Sequence, residues 1–297
     1  MSTTFNFSFL ESLSCILVNG GYGSFGACSF TEVVGDLNTK KLANFPTREC
    51  LGSFMVLHNR TILLCGGAGL SYKCLQLESG IWKEHSTLHK FRSGHSVVRT
   101  KLATFIFGGN TYEYLPQDST KWVIGKTKIP GGGFSQGFAI AVKSEKEIWL
   151  IGGMESSKRI LTFNVKAHTF RELPSKLIVN TWAGPRCAFI PNTNKIMVTG
   201  GLNNDYVQII DTEDETITMA SPMNSKRAYH GMDIVTINGE DRLAVFGGFD
   251  GRAELDSVEL YNIKTEKWET STIKMRGPRS HFAYLSLKLR DIVDLEL

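Results

Sequence analysis

The sequence predicts an all-β protein, a six-bladed β-propeller with four-stranded antiparallel blades, and three observations support that prediction. Pairs of glycines end six short apolar runs, and the first glycines of consecutive pairs are 42 to 48 residues apart. Such a period indicates that each repeat is one structural unit. Every run is too short for a helix and is followed by turn-forming residues, which favours a strand buried on both faces. The pairs are Gly20 and Gly21, Gly66 and Gly67, Gly108 and Gly109, Gly152 and Gly153, Gly200 and Gly201, and Gly247 and Gly248.

The strands of one blade are clearest in the sixth repeat. After Gly247 and Gly248 a polar loop leads to SVELYNI, which alternates as a strand, and Trp268 opens a fourth short strand. An apolar residue precedes that Trp by seven positions, and similar pairs in other repeats predict that the third and fourth strands form hairpins. Four strands per repeat, arranged radially, give a propeller. The pairs are Tyr261 and Trp268, Phe163 and Phe170, Ile210 and Ile217, and, with a different step, Tyr114 and Trp122 and Leu77 and Trp82; the first repeat offers only Val34 and Leu42.

The two ends of the chain are expected to meet in the first blade. Five repeats have a candidate first strand before their apolar run, whereas only FNFSFLES precedes the run ILVNGG. The C-terminal segment HFAYLSLK fits the missing strand, so we predict that it pairs into the first blade and closes the ring, which removes free sheet edges. The predicted boundaries are an N-terminal extension over residues 1–14, the propeller over residues 15–290 and a tail over residues 291–297.

Together these features resemble a kelch-repeat β-propeller. The marks of that family here are the glycine pairs, the Tyr-then-Trp spacing and an arginine before the next first strand, in FRSGHS, KRAYHG and GPRSHF. The resemblance implies a rigid platform that binds other proteins, like the recognition part of a ubiquitin-ligase adaptor or a cytoskeletal, actin-associated scaffold. Such adaptors normally carry BTB and BACK domains before the propeller. Because this chain starts almost at the first blade, we expect either part of a longer protein or a propeller that recruits partners by itself.

The composition predicts a cytoplasmic, monomeric protein without a membrane anchor. The chain has 297 residues, of which 42% are hydrophobic, and a net charge of +4. No apolar run approaches the roughly 18 residues of a membrane span, and the N-terminus is a poor signal peptide. Six cysteines are too few for a disulfide framework in a chain of this length, so we expect free thiols.

Three motifs match patterns for ligand binding or catalysis, but their context argues against each function. GYGSFG, residues 21–26, fits a dinucleotide-binding loop, yet β-forming residues follow it instead of a helix. GFSQG, residues 133–137, fits a nucleophile elbow but opens an ordinary strand. HSTLH spaces His85 and His89 like two zinc ligands on a helix, in a segment predicted to be a loop. We therefore expect no enzyme activity, no cofactor and no metal.

Basic residues gather at one end of the predicted propeller. The loops that lead into each first strand and those that follow each glycine pair lie at the same end, and they hold 15 basic against 6 acidic residues. Such a one-sided charge attracts an acidic protein or peptide segment, and Trp182, in the longest of these loops, is a candidate anchor. The predicted partner-binding residues are Arg48, Arg92, Arg159, Trp182, Arg186, Lys226, Arg227, Arg252 and Arg279.

Three alternatives stay open at this point. Arg92, Arg227 and Arg279 stand at the same place in their repeats, so they could brace neighbouring blades instead of binding a partner. Nucleic acid is disfavoured as a partner, because the basic residues are not interleaved along a stacking groove and the isoelectric point is about 8.6. The central funnel could instead hold a small molecule or an enzyme site, since some six-bladed kelch proteins resemble sialic-acid mutarotases, in which an arginine and a carboxylate meet a sugar acid.

Overall fold

The chain folds into six four-stranded antiparallel sheets, which confirms the predicted all-β, six-bladed propeller. The computed structural model describes residues 14–24, 26–35, 40–41, 52–56, 61–70, 72–78, 81–131, 137–154, 157–237 and 239–288. Within these ranges the regular structure consists of strands, with no helix and hence none that could cross a membrane. The first strands of neighbouring blades contact one another around the whole ring, so they form the wall of a central channel.

The strands are numbered along the chain and the blades in the order of their glycine pairs. Blade 1 begins with β1 (Ser14–Asn19), continues through a small loop hairpin of β2 (Tyr22–Gly23) and β3 (Gly26–Ala27), and goes on to β4 (Thr31–Gly35) and β5 (Lys40–Lys41). Blade 2 contains β6 (Ser53–Val56), β7 (Ile62–Cys65), β8 (Lys73–Glu78) and β9 (Ile81–Thr87), and blade 3 contains β10 (Ser96–Arg99), β11 (Ala103–Gly108), β12 (Thr111–Pro116) and β13 (Val123–Ile124).

The second half of the chain repeats this order. Blade 4 contains β14 (Ala139–Ser144), β15 (Glu147–Ile151), β16 (Ile160–Asn164) and β17 (Thr169–Glu172). Blade 5 contains β18 (Arg186–Phe189), β19 (Lys195–Thr199), β20 (Val207–Asp211) and β21 (Ile217–Ala220). Blade 6 contains β22 (Gly231–Ile237), β23 (Glu240–Phe246), β24 (Ser257–Asn262) and β25 (Lys267–Lys274), and the last strand is β26 (Ala283–Lys288).

The C-terminal strand closes the ring as predicted. β26 lies antiparallel to β1, with Val18 opposite Tyr284, and it is the innermost strand of blade 1. The first and the last strand of the described chain therefore belong to one sheet. Residues 1–13 and 289–297 lie outside the described residues, so the predicted domain boundaries stay predictions.

Cross-strand pairing explains the recurring spacing of aromatic and apolar residues. The partners face each other directly across the hairpin of the third and fourth strands, where close side-chain pairs stabilise a sheet. In blade 3 the register differs by one residue: Tyr114 faces Val123, while the buried Trp122 donates a hydrogen bond from its indole N–H to Ser86 Oγ in blade 2. Leu42 lies outside the described residues. The directly facing pairs are Tyr261 and Trp268, Phe163 and Phe170, Ile210 and Ile217, and Leu77 and Trp82.

The glycine pairs sit where the chain leaves the second strand of each blade. In five of the six pairs both glycines have φ between 59° and 118°, a conformation that L side chains rarely adopt. At Gly200 a Cβ atom would also lie 2.2 Å from the carbonyl oxygen of Arg227 in the next loop. The third pair differs because Gly108 still pairs with Thr111 in a tight hairpin, which leaves only Gly109 with a positive φ.

The expectation of free thiols is wrong for two cysteines. Cys65 and Cys74 form a disulfide bond between β7 and β8, where both residues are buried. They face each other at a non-hydrogen-bonded position of the antiparallel pair, which brings their Cα atoms within 4.1 Å. Cys28 and Cys187 are free thiols. The sequence count alone could not find the bond, because it depends on the register of two strands.

Candidate functional site

One end of the propeller, which we call the mouth face, is formed by two kinds of loop. The loops between the second and third strands of each blade meet the loops that connect consecutive blades. Backbone hydrogen bonds tie the two kinds together: the amide of Gly201 donates to the carbonyl of Arg227, and that of Gly248 donates to the carbonyl of Arg279. The two kinds of loop are therefore joined into one rim wherever they are described.

Arg227 shows what the repeated arginine does in this rim. Its guanidinium group is fully buried and contacts Glu259 Oε1 at 2.9 Å, the Gly247 carbonyl at 2.6 Å and the Ser257 carbonyl at 3.1 Å. The arginine comes from the loop between blades 5 and 6, whereas its partners belong to the second and third strands of blade 6. One side chain thus fixes the inter-blade loop to the blade that follows.

The same brace occurs at two other junctions. Arg92 binds Glu113 at 3.0 Å together with the carbonyls of Gly108 and Thr111. Arg279 binds Glu32 together with the carbonyls of Gly20 and Phe30. Burial lowers the pKa of all three guanidinium groups, and the facing carboxylate opposes that shift in each case.

These contacts correct the prediction that Arg92, Arg227 and Arg279 bind a partner. All three arginines are buried inside the rim, so a partner cannot reach their guanidinium groups. Their carboxylate partners occupy one register position, in the third strand opposite the residue two before the glycine pair. Sequence reasoning counted only the acids of the loops and therefore missed them. The available signal was a glutamate near the start of the third strand in each repeat that has the arginine: Glu32, Glu113 and Glu259.

The remaining predicted cations fall into different environments. Arg159 forms an ion pair with Glu172 at 2.7 Å and also contacts the Pro130 carbonyl, so it joins neighbouring loops. The hydrogen bond from Arg159, followed by that from Lys176, lowers the pKa of Glu172 to about 2. Lys226 and Arg252 are exposed on the mouth face, and Arg48 lies outside the described residues.

Ion pairs reduce the basic excess that was counted from the sequence. Seven of the 15 basic residues contact a carboxylate of the described chain: Lys73, Arg92, Arg159, Lys176, Arg227, Lys274 and Arg279. Seven others have no carboxylate within ion-pair distance in the described ranges: Lys90, Lys128, Lys158, Arg186, Lys226, Arg252 and Arg276. The mouth face keeps an excess of positive charge, but about half of the 15 basic residues counted from the sequence are paired with a carboxylate and do not contribute to it.

Exposed apolar side chains stand beside these cations. Trp182 is 42% exposed, and Ile178 and Tyr206 are exposed near it. The two loops that carry them are joined by hydrogen bonds from the Leu202 amide to the Trp182 carbonyl at 2.7 Å and from Asn204 Nδ2 to the Asn180 carbonyl at 3.0 Å. The sequence had indicated Trp182 but not Tyr206, because the loops that carry them meet only in the folded chain.

A second apolar site lies at blade 2. Tyr72 and Phe91 are both about half exposed, and their rings meet edge to face with centroids 6.3 Å apart. Tyr72 follows the glycine pair of blade 2, whereas Phe91 comes from the loop between blades 2 and 3. Other apolar residues also follow glycine pairs: Leu70 is buried, Phe249 is half-buried and Phe25 lies outside the described residues.

The central channel opens at the mouth face and has a volume of about 370 Å³. The first strands of all six blades line it, and its polar wall contains Arg186, Asp233 and Tyr284. Burial raises the pKa of Asp233 to about 6, although the amides of Ile234 and Ser286 donate hydrogen bonds that oppose the shift. Burial, together with the charge of Arg186, lowers the pKa of His281 to about 4. Arg186, predicted as a rim residue, therefore belongs to the channel.

The motifs that resemble ligand sites have ordinary structural roles where they are described. Residues 22–23 and 26–27 form the β2–β3 hairpin instead of a helix that would bind a dinucleotide. His85 lies in β9, and His89 Nδ1 contacts Glu113 Oε2 at 2.9 Å beside the Arg92 brace. Most of GFSQG lies outside the described residues. Within the described ranges, no three His, Cys, Asp or Glu side chains are grouped so as to hold a metal ion.

Comparisons with known proteins agree with the kelch resemblance. The model of the Kelch motif matches residues 241–272, which form the second, third and fourth strands of blade 6. A kelch repeat-containing protein, kel-10, from Caenorhabditis elegans is 38% identical over 47 residues, 16% of this chain and 7% of that protein. The kelch repeat and BTB domain-containing protein F47D12.7 of the same organism is 42% identical over 45 residues, 15% of this chain and again 7% of the relative.

A solved structure supports the fold. The structure of YjhT superposes with a TM-score of 0.67, covering 82% of this chain and 91% of that one, at 13% sequence identity. At this identity the likeness concerns the architecture of the chain and not its activity. The chain is a six-bladed propeller with a kelch motif, and it matches only a small part of the length of its curated relatives.

Proposed function

We propose that this propeller is a non-enzymatic recognition module that binds an acidic protein or peptide segment on its mouth face. The observation that supports this best is that exposed apolar side chains at one blade lie next to cations at the adjoining blade that have no carboxylate partner among the described residues. Trp182 and Tyr206 lie at blade 5, and Lys226, Arg252 and Arg276 lie at the adjoining blade 6. Large aromatic residues and arginine dominate the binding energy of protein interfaces.

The two sectors would contribute differently to binding. Exposed cations act over about 8 Å at physiological ionic strength, so they raise the association rate of an acidic partner. Contact with Trp182 acts at short range and slows dissociation. Asp250 and Glu254 lie in the same loop as Arg252 and oppose this field; Asp250 Oδ1 also accepts hydrogen bonds from the amides of Arg252 and Ala253, which hold its own loop.

The finer assignments follow the kelch resemblance. We further propose a cytoplasmic, monomeric propeller within a ubiquitin-ligase adaptor or a cytoskeletal scaffold, with proteins and not nucleic acids as partners; in the reducing cytoplasm the Cys65–Cys74 bond would be open. The support is general: a rigid ring presents many loops on one surface, and recognition sites concentrate in such loops.

A displayed library of short random peptides tests the proposal. Wild-type protein should enrich peptides that combine Asp or Glu with an apolar residue. The variant Lys226→Glu, Arg252→Glu, Arg276→Glu should lose that enrichment, because three cations of one sector change sign. A matched control, Lys166→Glu, Lys195→Glu, Lys267→Glu, changes three exposed lysines at the opposite end and should retain it. Equal enrichment in both variants, or none in the wild type, would contradict the proposal.

A further inference from the structure

A collar of backbone hydrogen bonds links five of the six junctions between blades where the channel opens at the mouth face, and the sixth junction lies outside the described residues. The amide of Gly137 donates to the Gly94 carbonyl, that of Gly184 to Gly137, that of Tyr229 to Gly184 and that of His281 to Tyr229. Each residue comes from the loop before a different first strand, so these five positions are equivalent in the ring. All five have a positive φ, from 52° to 71°.

Two of the five collar positions are not occupied by glycine. Glycine adopts a positive φ without steric cost and occupies three positions, but Tyr229 and His281 occupy the other two. A bulky side chain in this backbone region is strained, and such strain is concentrated at functional sites. The rings of Tyr229 and His281 stack with centroids 3.6 Å apart, and both line the channel. The chain thus places two large polar aromatic groups at one side of the opening, where glycine would serve the backbone better.

Arg186 lies in the channel wall near these two rings, and its guanidinium group stands over the ring of Tyr284, 5.8 Å from the centroid. It is the first residue of β18, and its guanidinium group is held by one described hydrogen bond, to the carbonyl of Pro185 at 3.0 Å. No carboxylate of the described residues lies within ion-pair distance of it, in contrast to the buried arginines of the rim. Its charge acts on the neighbouring rings, since it contributes to the lowered pKa of His281. A guanidinium group in a cavity attracts an anion more strongly than one in bulk water.

The rest of the channel limits the kind of anion. Asp233, in β22 of the next blade, also lines the channel, and its carboxylate opposes a doubly charged group such as a phosphate monoester more strongly than a singly charged one. Val97, Ala141 and Ala188 provide small apolar surface from three other blades. A volume of about 370 Å³ lies near the lower end for small-molecule sites. These features suit one negative charge attached to a compact apolar body.

We propose that the channel binds a small organic monocarboxylate, with its carboxylate on Arg186 beside the stacked rings of Tyr229 and His281. The guanidinium group offers two parallel N–H donors to the carboxylate oxygens. The apolar body of the ligand extends along the alanine and valine wall. This site is separate from the exposed residues at blades 5 and 6, so it neither requires nor excludes a protein partner on the mouth face.

Ligand-observed NMR with benzoate, cyclohexanecarboxylate and hexanoate tests the site, with the matching amides as neutral probes. At least one carboxylate should saturate the wild type with a dissociation constant on the order of 1 mM or tighter, and its amide should not. Arg186→Gln should weaken binding at least about tenfold, and Arg186→Lys should restore part of it. Tyr229→Gly should also weaken binding, because it removes one ring while the collar backbone is preserved. Lys166→Gln, an exposed lysine at the opposite end of the propeller, should leave the affinity unchanged.

Three results would overturn the proposal. One is the absence of saturable binding of any carboxylate to folded wild-type protein. Another is equal affinity for wild type and for an Arg186→Gln protein whose circular dichroism and melting temperature show that it is folded. The third is a short acidic peptide that binds in the channel through Arg186 without displacing any carboxylate probe. This result would assign Arg186 to the protein partner instead.

Discussion

The junction between blades 5 and 6 and the junction between blades 4 and 5 occupy equivalent places in the ring but differ in their side chains. In the first, Arg227 stands four residues before β22 and is buried on Glu259. In the second, Trp182 stands four residues before β18 and is exposed. The position of the glutamate is taken by Gln208, which exchanges hydrogen bonds with the backbone of Val179 at 2.9 and 3.2 Å.

This difference separates residues that hold the ring from residues that are free to bind. Where the repeat keeps its arginine and glutamate, both groups are buried in the ion pair of the brace. Where a neutral glutamine holds the loop, the position of the arginine is open to a different side chain. Three residues differ from the residue type that other repeats have at the same position: Trp182, Tyr229 and His281. All three are accessible from the mouth face or the channel. Departure from the repeat is therefore a better guide to the candidate sites here than the repeat itself.

The largest expected effect comes from breaking the junction that joins the chain ends. Deleting residues 280–297 removes β26 and exposes the edge of β1, so the loss should exceed the roughly 5–15 kcal/mol by which domains are usually stable. The truncated protein should aggregate or show no cooperative unfolding transition. A control chain that ends at Lys288 keeps all of β26 and should unfold cooperatively; a folded, monomeric deletion variant would contradict the closure.

The brace itself can be compared directly with the neutral junction. Arg227→Met leaves Glu259 buried without its partner and should cost about 3–5 kcal/mol of unfolding free energy. Gln208→Leu, at the equivalent position of blade 5, should cost about 1 kcal/mol, since blades 2 and 4 have Leu75 and Leu161 there. Urea unfolding measures both. If Gln208→Leu proved as costly as Arg227→Met, the distinction between the two junctions would be lost.

The sequence predicted the fold well because its signals repeat. The glycine pairs mark the end of every second strand, and the spacing of Tyr261 and Trp268 reports a cross-strand pair that recurs. The braces were harder to predict, since arginine and glutamate are 32 residues apart in blade 6 and meet only in the folded blade. The collar was out of reach for the same reason: nothing in the chain near Tyr229 or His281 shows that both lie in one ring of hydrogen bonds.

Blade 2 offers another way to hold a blade without a glutamate. Its third strand has Leu75 at the brace position, and the adjoining residue Cys74 is bonded to Cys65. By the chain-entropy account, a bond that closes a loop of about ten residues stabilises by about 2–3 kcal/mol. A strong reductant should therefore lower the melting temperature of the wild type. The Cys65→Ala, Cys74→Ala variant should melt at the same temperature with and without reductant. An unchanged wild-type melting temperature would show that the bond does not contribute.

The channel contrasts with the braces because Asp233 lies in its wall, half-buried, and forms no ion pair with a cation of the described residues. Its folded pKa of about 6 is above the usual value, so the folded state holds the proton more tightly than the unfolded state between pH 4 and 6. The stability that this proton provides is present at low pH and is lost as the pH rises through 6. Relative to the Asp233→Asn variant, the wild type should lose on the order of 2 kcal/mol between pH 4 and 7. The difference between the two cancels the opposite contribution of the buried histidines, and a constant difference across this range would exclude the raised pKa.

The smallest effect on stability is expected at Trp182. Unlike the arginines of the braces, this residue is expected to contribute to binding and not to stability. Because its side chain is 42% exposed and its loop is held by backbone bonds, Trp182→Ala should change the unfolding free energy by less than about 1 kcal/mol. Trp268→Ala, which removes a buried side chain from blade 6, should cost about 3–5 kcal/mol.

For a peptide selected on the wild type, Trp182→Ala should raise the dissociation rate at least about tenfold and leave the salt dependence of association unchanged. Surface plasmon resonance separates the two rates. A Trp182→Ala protein that releases the peptide as slowly as the wild type would place the contact on another sector, with Tyr72 and Phe91 of blade 2 as the next residues to change.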